Sequence, residues 1–322
     1  MIRRILLGLL ALLVVLVAGL AVFVALRQNL RFNAPYPPVQ ASTDSVVVER
    51  GRYIVRDLAV CASCHGDPTQ TAAFLRGEDI PLSGGNVFDI PPGKFYVPNI
   101  TSDPQTGLGK ASDAAIARAL RYNVGHDGRA LLPFMNKQGM ADDDLVAVVS
   151  YLRSQPPISH LVPAHQYTLL GRVVKATVLA NPVGPKSPPP PTAPRGVSVE
   201  NGRYLAEVMA DCGGCHTQRD MRTGASIGPP LGGATGFQGD STGTWSPPNI
   251  TKGGRLATLD EDAFVTRIRA GRAIPQSPMP WQFFQKLDEQ DLRAIYRYLV
   301  SLPPATQDVG PPFVKKEPKT RR

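Results

Sequence analysis

Laid against itself at an offset of 151 residues, this chain superimposes Val48-Glu49-Arg50-Gly51-Arg52-Tyr53 on Val199-Glu200-Asn201-Gly202-Arg203-Tyr204 and Cys61 on Cys212. The match continues with small drifts. Pro98-Asn99-Ile100-Thr101 recurs as Pro248-Asn249-Ile250-Thr251, Asp144-Leu145 as Asp291-Leu292, and Tyr151-Leu152 as Tyr298-Leu299. A repeat this long requires two homologous domains built to one plan, and a length of 322 residues accommodates them. The expected organisation is an N-terminal anchor over 1–31, a first domain over 42–157, a Pro-rich linker with a short helix over 158–195, a second domain over 196–304 and a basic disordered tail over 305–322.

The fold class expected is all-α with long loops. Val48, Gly51, Val55 and Leu58, with Val199, Gly202, Ala206 and Met209, keep the spacing of one helical face near the start of each copy. Leu145, Val148, Val149 and Leu152, with Leu292, Ile295, Tyr296 and Leu299, do the same at the end. Ile116 and Leu120 correspond to Phe264 and Ile268 on a middle helix, which the first copy ends at Asn123 and the second at Gly271, both tolerant of a left-handed cap. Gly- and Pro-rich loops fill the middle of each copy, and no strand alternation is visible. In the linker, residues 167–179 suit a short amphipathic helix and residues 182–194 an extended polyproline segment.

The chemistry is concentrated in Cys61-Ala62-Ser63-Cys64-His65 and Cys212-Gly213-Gly214-Cys215-His216, both of the haem c attachment form Cys-x-x-Cys-His. One turn presents two sulfurs to the vinyl groups of one porphyrin, and the adjacent histidine reaches the iron. A thioredoxin-like pair or half of a zinc site is the rival reading. The chain has four cysteines, all of them in these two equivalent motifs and with no βαβ pattern nearby, so two covalently bound haems c are expected. The second copy has no histidine besides His216, which leaves Met209, Met221 or Met279 for its sixth ligand. Met209 falls on the core stripe and Met221 lies five residues from the proximal histidine, so Met279 in Ser277-Pro278-Met279-Pro280-Trp281 is selected. The corresponding loop of the first copy, Leu132-Pro133-Phe134-Met135, offers Met135, with Met140 as the alternate. His126, His160 and His165 read as surface residues, with a bis-histidine first haem as the sharper alternative.

The formal charge of +9 sits mostly at the ends: residues 1–31 contribute +4 and 304–322 contribute +3, leaving the body near neutral. That removes the main support for a nucleic-acid partner. An unbroken apolar run over residues 5–26 would form a helix of about 33 Å, enough to cross a hydrocarbon core of about 30 Å. A retained single-pass anchor is expected over a cleaved signal peptide. Because bacterial haem attachment takes place outside the cytoplasm, Met1 is expected inside and the haem domains on the periplasmic face of the inner membrane.

With the two attachment motifs, the Pro-Asn-Ile-Thr segments and Pro-flanked methionine loops ahead of a final D-L-x-A helix, residues 44–304 resemble the cytochrome c subunits of membrane-bound bacterial dehydrogenases of the alcohol, gluconate or nicotinate type. The matching stretches include Val97-Pro98-Asn99-Ile100-Thr101-Ser102-Asp103-Pro104, Leu120-Arg121 and Pro278-Met279-Pro280-Trp281. The resemblance implies tandem class I cytochrome c domains that are not themselves catalytic. They would take electrons from a dehydrogenase partner and pass them to a respiratory acceptor. It also implies that Asn99 and Asn249 lie beside their haems and that Pro81 or Pro230 accepts a hydrogen bond from the proximal histidine. Three features depart from the family: two haem motifs where three are common, Ala111 in place of a Trp, and Asn136 in place of a Pro after Met135. The alternatives are a dihaem terminal-oxidase subunit and a dihaem enzyme such as a peroxidase or thiosulfate dehydrogenase. Haem chemistry on substrate requires an open or displaceable iron position, and no cluster of paired carboxylates, catalytic histidine or metal ligands is seen outside the haem sites.

Overall fold

The structure, a computed structural model, describes residues 1–220, 224–239, 243–274 and 277–316. It begins with α1 (Ile2–Arg27), an apolar helix long enough to cross a membrane, whose only buried residue is Val24. The first unit contains α2 (Ser45–Tyr53), α3 (Ala62–His65), α4 (Thr71–Leu75), α5 (Asp113–Tyr122) and α6 (Asp142–Ser154). After α7 (Leu169–Thr177), the second unit repeats the plan with α8 (Val199–Arg203), α9 (Cys212–His216), α10 (Glu261–Arg269), α11 (Trp281–Phe284) and α12 (Glu289–Ser301).

Each unit is held by the crossing of its first and last helices. A Cβ on Gly51 would lie 2.0 Å from the Ala147 carbonyl oxygen, and one on Gly202 would lie 1.9 Å from that of Ala294. Glycine is required at both positions because the backbones touch. Gly202→Ala should therefore cost about 2–3 kcal/mol, measured by denaturant unfolding, through overpacking that neither backbone can relieve. The first helix of each unit passes into a π-turn, Ile54–Leu58 or Tyr204–Met209, closed by Ala59 N–H to Ile54 O and Ala210 N–H to Leu205 O. The middle helices start on the side chains of Ser112 and Asp260, which accept from Ala115 and Ala263 N–H. They end at Asn123, with φ of 50°, and next to Gly271, with φ of 71°, as the cap reading expects.

The chain is mostly helical, but the all-α expectation needs a correction. Each unit carries a small antiparallel three-stranded sheet, β1-β2-β3 (Val87–Ile90, Gly93–Tyr96, Gln166–Tyr167) and β4-β5-β6 (Gln238–Gly239, Gly243–Trp245, Phe313–Lys315). Strands of two to four residues are too short to show a period of two. The third strand of each sheet comes from beyond the last helix, so the units run past residues 157 and 304. The tail is consequently ordered as far as described: Ala305 and Val309 are buried and β6 pairs with β5. The remainder of the expected disordered tail, 317–322, lies outside the described residues.

The linker is a fitted element. Carbonyls of Pro190 and Pro191 accept from the N–H groups of Asp142 and Asp143, satisfying donors at the start of α6 that no N-cap side chain serves. Its helix α7 packs against the end of α1, with Arg27 Nε donating to Ala176 O at 3.1 Å.

The two units clasp one another reciprocally. Tyr53 Oη donates to Asp291 Oδ2 at 2.8 Å and accepts from Asp288 N–H at 3.1 Å; Tyr204 Oη donates to Asp144 Oδ2 at 2.8 Å and accepts from Ala141 N–H at 3.1 Å. Each first helix thus reaches the start of the other unit's last helix, a pseudo-twofold arrangement of repeat-equivalent residues.

Candidate haem sites

Each attachment motif follows a backbone kink. Val60 and Asp211, the residues before the first cysteines, are repeat equivalents and both have positive φ, 46° and 51°. This left-handed residue turns the chain out of the π-turn and into α3 or α9, so that Cys61, Cys64 and His65, or Cys212, Cys215 and His216, share one helical turn. For β-branched Val60 that conformation is strained, and it is retained by burial in the core.

The two histidines are framed identically. His65 Nδ1 donates to Pro98 O at 2.9 Å and His216 Nδ1 to Pro248 O at 2.8 Å. Their own carbonyls accept from Gly84 and Gly233 N–H, each at 2.8 Å. Both glycines have positive φ, and a Cβ on either would strike the backbone of the Pro-Asn segment that holds the ring. Burial lowers both imidazole pKa values, opposed by the bond to the proline carbonyl. The ring is therefore a neutral tautomer with Nδ1–H committed to protein and the Nε2 lone pair available to iron. The histidine acceptors are thus Pro98 and Pro248, which corrects the expectation of Pro81 or Pro230; the Pro81 carbonyl instead accepts from Asp67 N–H at 3.0 Å. The recurrence of an identical Pro-Asn-Ile-Thr in both copies was the available signal.

Asn99 and Asn249 stand next to those prolines but are fully used by protein. Each Nδ2 donates to a carbonyl beyond the last helix, Ile158 or Ala305, and each Oδ1 accepts from the N–H and hydroxyl of Thr101 or Thr251. They pin the proline carbonyl under the histidine and the returning chain above it.

The cysteines lack the lowered pKa of a redox-active dithiol. All four are free of disulfides. Burial pushes the Cys61 thiol up to about 11 and the Cys212 thiol up to about 12, the reverse of the lowered pKa of a reactive dithiol. Among the described residues no cluster of three or more His, Cys, Asp or Glu could hold a metal ion, so the zinc reading has no partner ligands. A neutral imidazole and two unpaired thiols on the same turn fit a covalently bound haem in each unit.

Of the candidate sixth ligands, Met279 packs partly buried against the core in the loop that leads into α11, and Met135 is half-buried in the loop before α6. Met140 is 2% exposed and belongs to the packed core, as does Met209 at 0%. Met221 lies outside the described residues. Of the remaining histidines, His126 is exposed as expected, whereas His160 and His165 are half-buried structural groups, not surface ones. His160 Nδ1 bonds to Ser83 O at 2.9 Å, and His165 Nδ1 accepts from Tyr96 N–H at 3.2 Å.

Comparison with known proteins agrees with this geometry. The cytochrome c family model matches residues 48–156 and 199–303, once for each unit. The chain is 30% identical over 283 residues to a nicotinate dehydrogenase subunit of Pseudomonas putida, covering 83% of this chain and 22% of that protein. It is 28% identical over 293 residues to the cytochrome c subunit of the quinone alcohol dehydrogenase of Komagataeibacter europaeus, covering 83% and 58%. A dihaem cytochrome c-type protein of Cereibacter sphaeroides is 27% identical over 264 residues, 76% of this chain and 82% of its own length. The chain thus spans less than two thirds of the length of either dehydrogenase relative. Two attachment turns, each with its histidine held by a Pro-Asn-Ile-Thr carbonyl and each matched by the same family model, place this chain in the cytochrome c family.

Proposed function

We propose that this chain is a membrane-anchored dihaem cytochrome c that accepts electrons from a dehydrogenase and passes them to a respiratory acceptor on the periplasmic side of the inner membrane. The observation that carries this reading is the identical histidine frame of the two units, which would hold one haem-ligating imidazole in each. Relatives that are cytochrome c subunits of alcohol, fructose and gluconate dehydrogenases support the dehydrogenase as donor. The apolar α1 supports the anchor. When bound, the haem iron supplies the one-electron couple. The protein's part is to tether each porphyrin through Cys61 and Cys64 or Cys212 and Cys215. It would orient His65 and His216 through their carbonyl partners, and Met135 in the first unit and Met279 in the second would serve as the other protein ligand to the iron. A methionine there raises the potential and excludes substrate, which suits transfer rather than catalysis.

The haem-loaded protein should accordingly be inert toward peroxide and thiosulfate on its own and be reduced rapidly when a membrane dehydrogenase and its substrate are supplied. Met279→Ala should open one iron to carbon monoxide and lower its potential, and Met135→Ala should do the same at the other. Met140→Ala should leave both irons closed and instead cost about 2 kcal/mol or more of stability as a truncated core side chain. Rapid turnover of peroxide by the protein alone, or carbon monoxide binding to Met140→Ala and not to Met135→Ala, would overturn the function or the ligand assignment respectively.

A further inference from the structure

The loop that carries Met135 is held by the other unit. Asn136 Nδ2 donates to Asp211 Oδ2 at 2.9 Å, and Lys137 Nζ donates to Val208 O at 3.0 Å and Met209 O at 2.7 Å. Gly139 lies so close that a Cβ there would sit 3.3 Å from Val208 Cγ2. All of these contacts end on residues 208–211, immediately before Cys212. Val208 and Met209 close the π-turned helix, where carbonyls lack intrahelical partners, so the Lys137 ammonium caps a helix of the second unit from the first. Its charge is also favourable at that helix end. Asp211 has the left-handed backbone that starts the attachment turn, and its carboxylate lies against Gly214, 2.7 Å from where a Cβ would stand.

The converse contact is of a different kind. Past Met279, α11 packs on the π-turn Ile54–Leu58 of the first unit, the Phe283 and Phe74 rings are 4.9 Å apart, and Lys286 donates to Gly77 O. That one hydrogen bond comes from Lys286, seven residues beyond Met279. Among the described residues the pseudo-twofold pair is therefore asymmetric at its two methionine loops.

We propose that Asn136 and Lys137 are positioning residues that make the second unit part of the first haem site: they seat the Met135 loop on the segment bearing the second attachment turn, fixing the sixth ligand of the first iron and linking the two sites. The proposal rests on the dihaem reading given above. Asn136 joins the residue after Met135 to the residue before Cys212 by one hydrogen bond, so the ligand loop of one site and the attachment turn of the other move together.

The test uses the full-length, haem-loaded protein in a Met279→Ala background, where the near-red ferric band of methionine-ligated iron reports the first site alone. Lys137→Met should shift the balance between the methionine-closed and opened first iron by roughly tenfold or more toward the opened form, the effect of losing charge-assisted hydrogen bonds at the clamp. The midpoint potential of that haem should fall with it, and Lys137→Arg, which keeps a cation able to reach two carbonyls, should restore both. Asn136→Leu should give a smaller shift in the same direction and carries the test alone should Lys137→Met fail to assemble. A band and potential unchanged in a haem-replete Lys137→Met or Asn136→Leu protein would overturn the proposal. Failure of the dihaem reading itself would be seen earlier and separately, as fewer than two covalent haems in the unmodified chain.

Discussion

Pyridine haemochrome of the purified protein will give two haems per polypeptide, neither extractable by acidified organic solvent, and Cys212→Ala combined with Cys215→Ala will leave one. The expectation follows from the independence of the two attachment turns. Each turn is built within its own unit, by a left-handed residue before the first cysteine and by the Gly84 or Gly233 N–H that holds the histidine carbonyl. The hydrogen bonds described at the His65 ring and carbonyl are made with Pro98 and Gly84 of the first unit. The interdomain clamp at Asn136 and Lys137 acts on ligation, so the double substitution should perturb the spectrum of the remaining haem while leaving its thioether bonds intact. Haem-peroxidase staining after denaturing electrophoresis would retain about half its intensity per chain. One haem in the unmodified protein, or loss of both in the double variant, would contradict the two-site account.

The features legible in the sequence were those encoded by local spacing or by the repeat. The attachment motifs, the terminal-helix stripes and the Asn123 and Gly271 caps each lie within a few residues, and the self-alignment doubled every signal. What escaped was set by contacts across large sequence separations. β3 and β6 are two- and three-residue edge strands defined by their partners, and Ile158 and Ala305 are fixed by the side chains of Asn99 and Asn249. The polyproline segment gave no sign that its carbonyls would serve the start of α6. The proline carbonyl under each histidine was misassigned because resemblance pointed to a proline nearer the motif, whereas the fold brings back the one 33 residues on in the first unit. Tyr53 and Tyr204, with Asp144 and Asp291, had all appeared as repeated positions. Their pairing across units could not be read from either copy alone, because it satisfies each tyrosine with the other copy's helix.

That clasp should dominate the stability of the protein, and Asp144, itself fully buried, is the position where a single substitution weakens it most. Its carboxylate accepts a bidentate pair from Arg50 at 2.8 and 2.9 Å, a bond from Arg195 at 3.0 Å and the Tyr204 hydroxyl at 2.8 Å. It thereby joins α2, α6, the end of the linker and the second unit. Asp144→Ala should cost on the order of 3–5 kcal/mol, because it strands the Arg50 guanidinium and the tyrosine hydroxyl at a buried junction. Asp144→Asn, which keeps an acceptor for one of them, should cost less. Asp291 makes a weaker anchor, since the repeat equivalent of Arg50 is Asn201, which reaches it at 3.4 Å without a full charge. Desolvation alone would raise the Asp144 pKa, but the hydrogen bonds and charges of Arg50 and Arg195 outweigh it and hold the value below the usual carboxylate range. A depressed folded-state pKa contributes stability that is complete above the unfolded value of about 4 and is lost as pH falls through the folded one. The unmodified protein should therefore lose stability on acidification below about pH 4, and Asp144→Ala should lack that component of the acid limb while being weaker at pH 7. Thermal unfolding followed at the Soret band should show both haem environments melting earlier in Asp144→Ala, because the residue serves both units. Unfolding of that variant within about 1 kcal/mol of the parent would show that the units are stable without the clasp, since even an ordinary buried hydrogen-bonded charge costs more than that to remove.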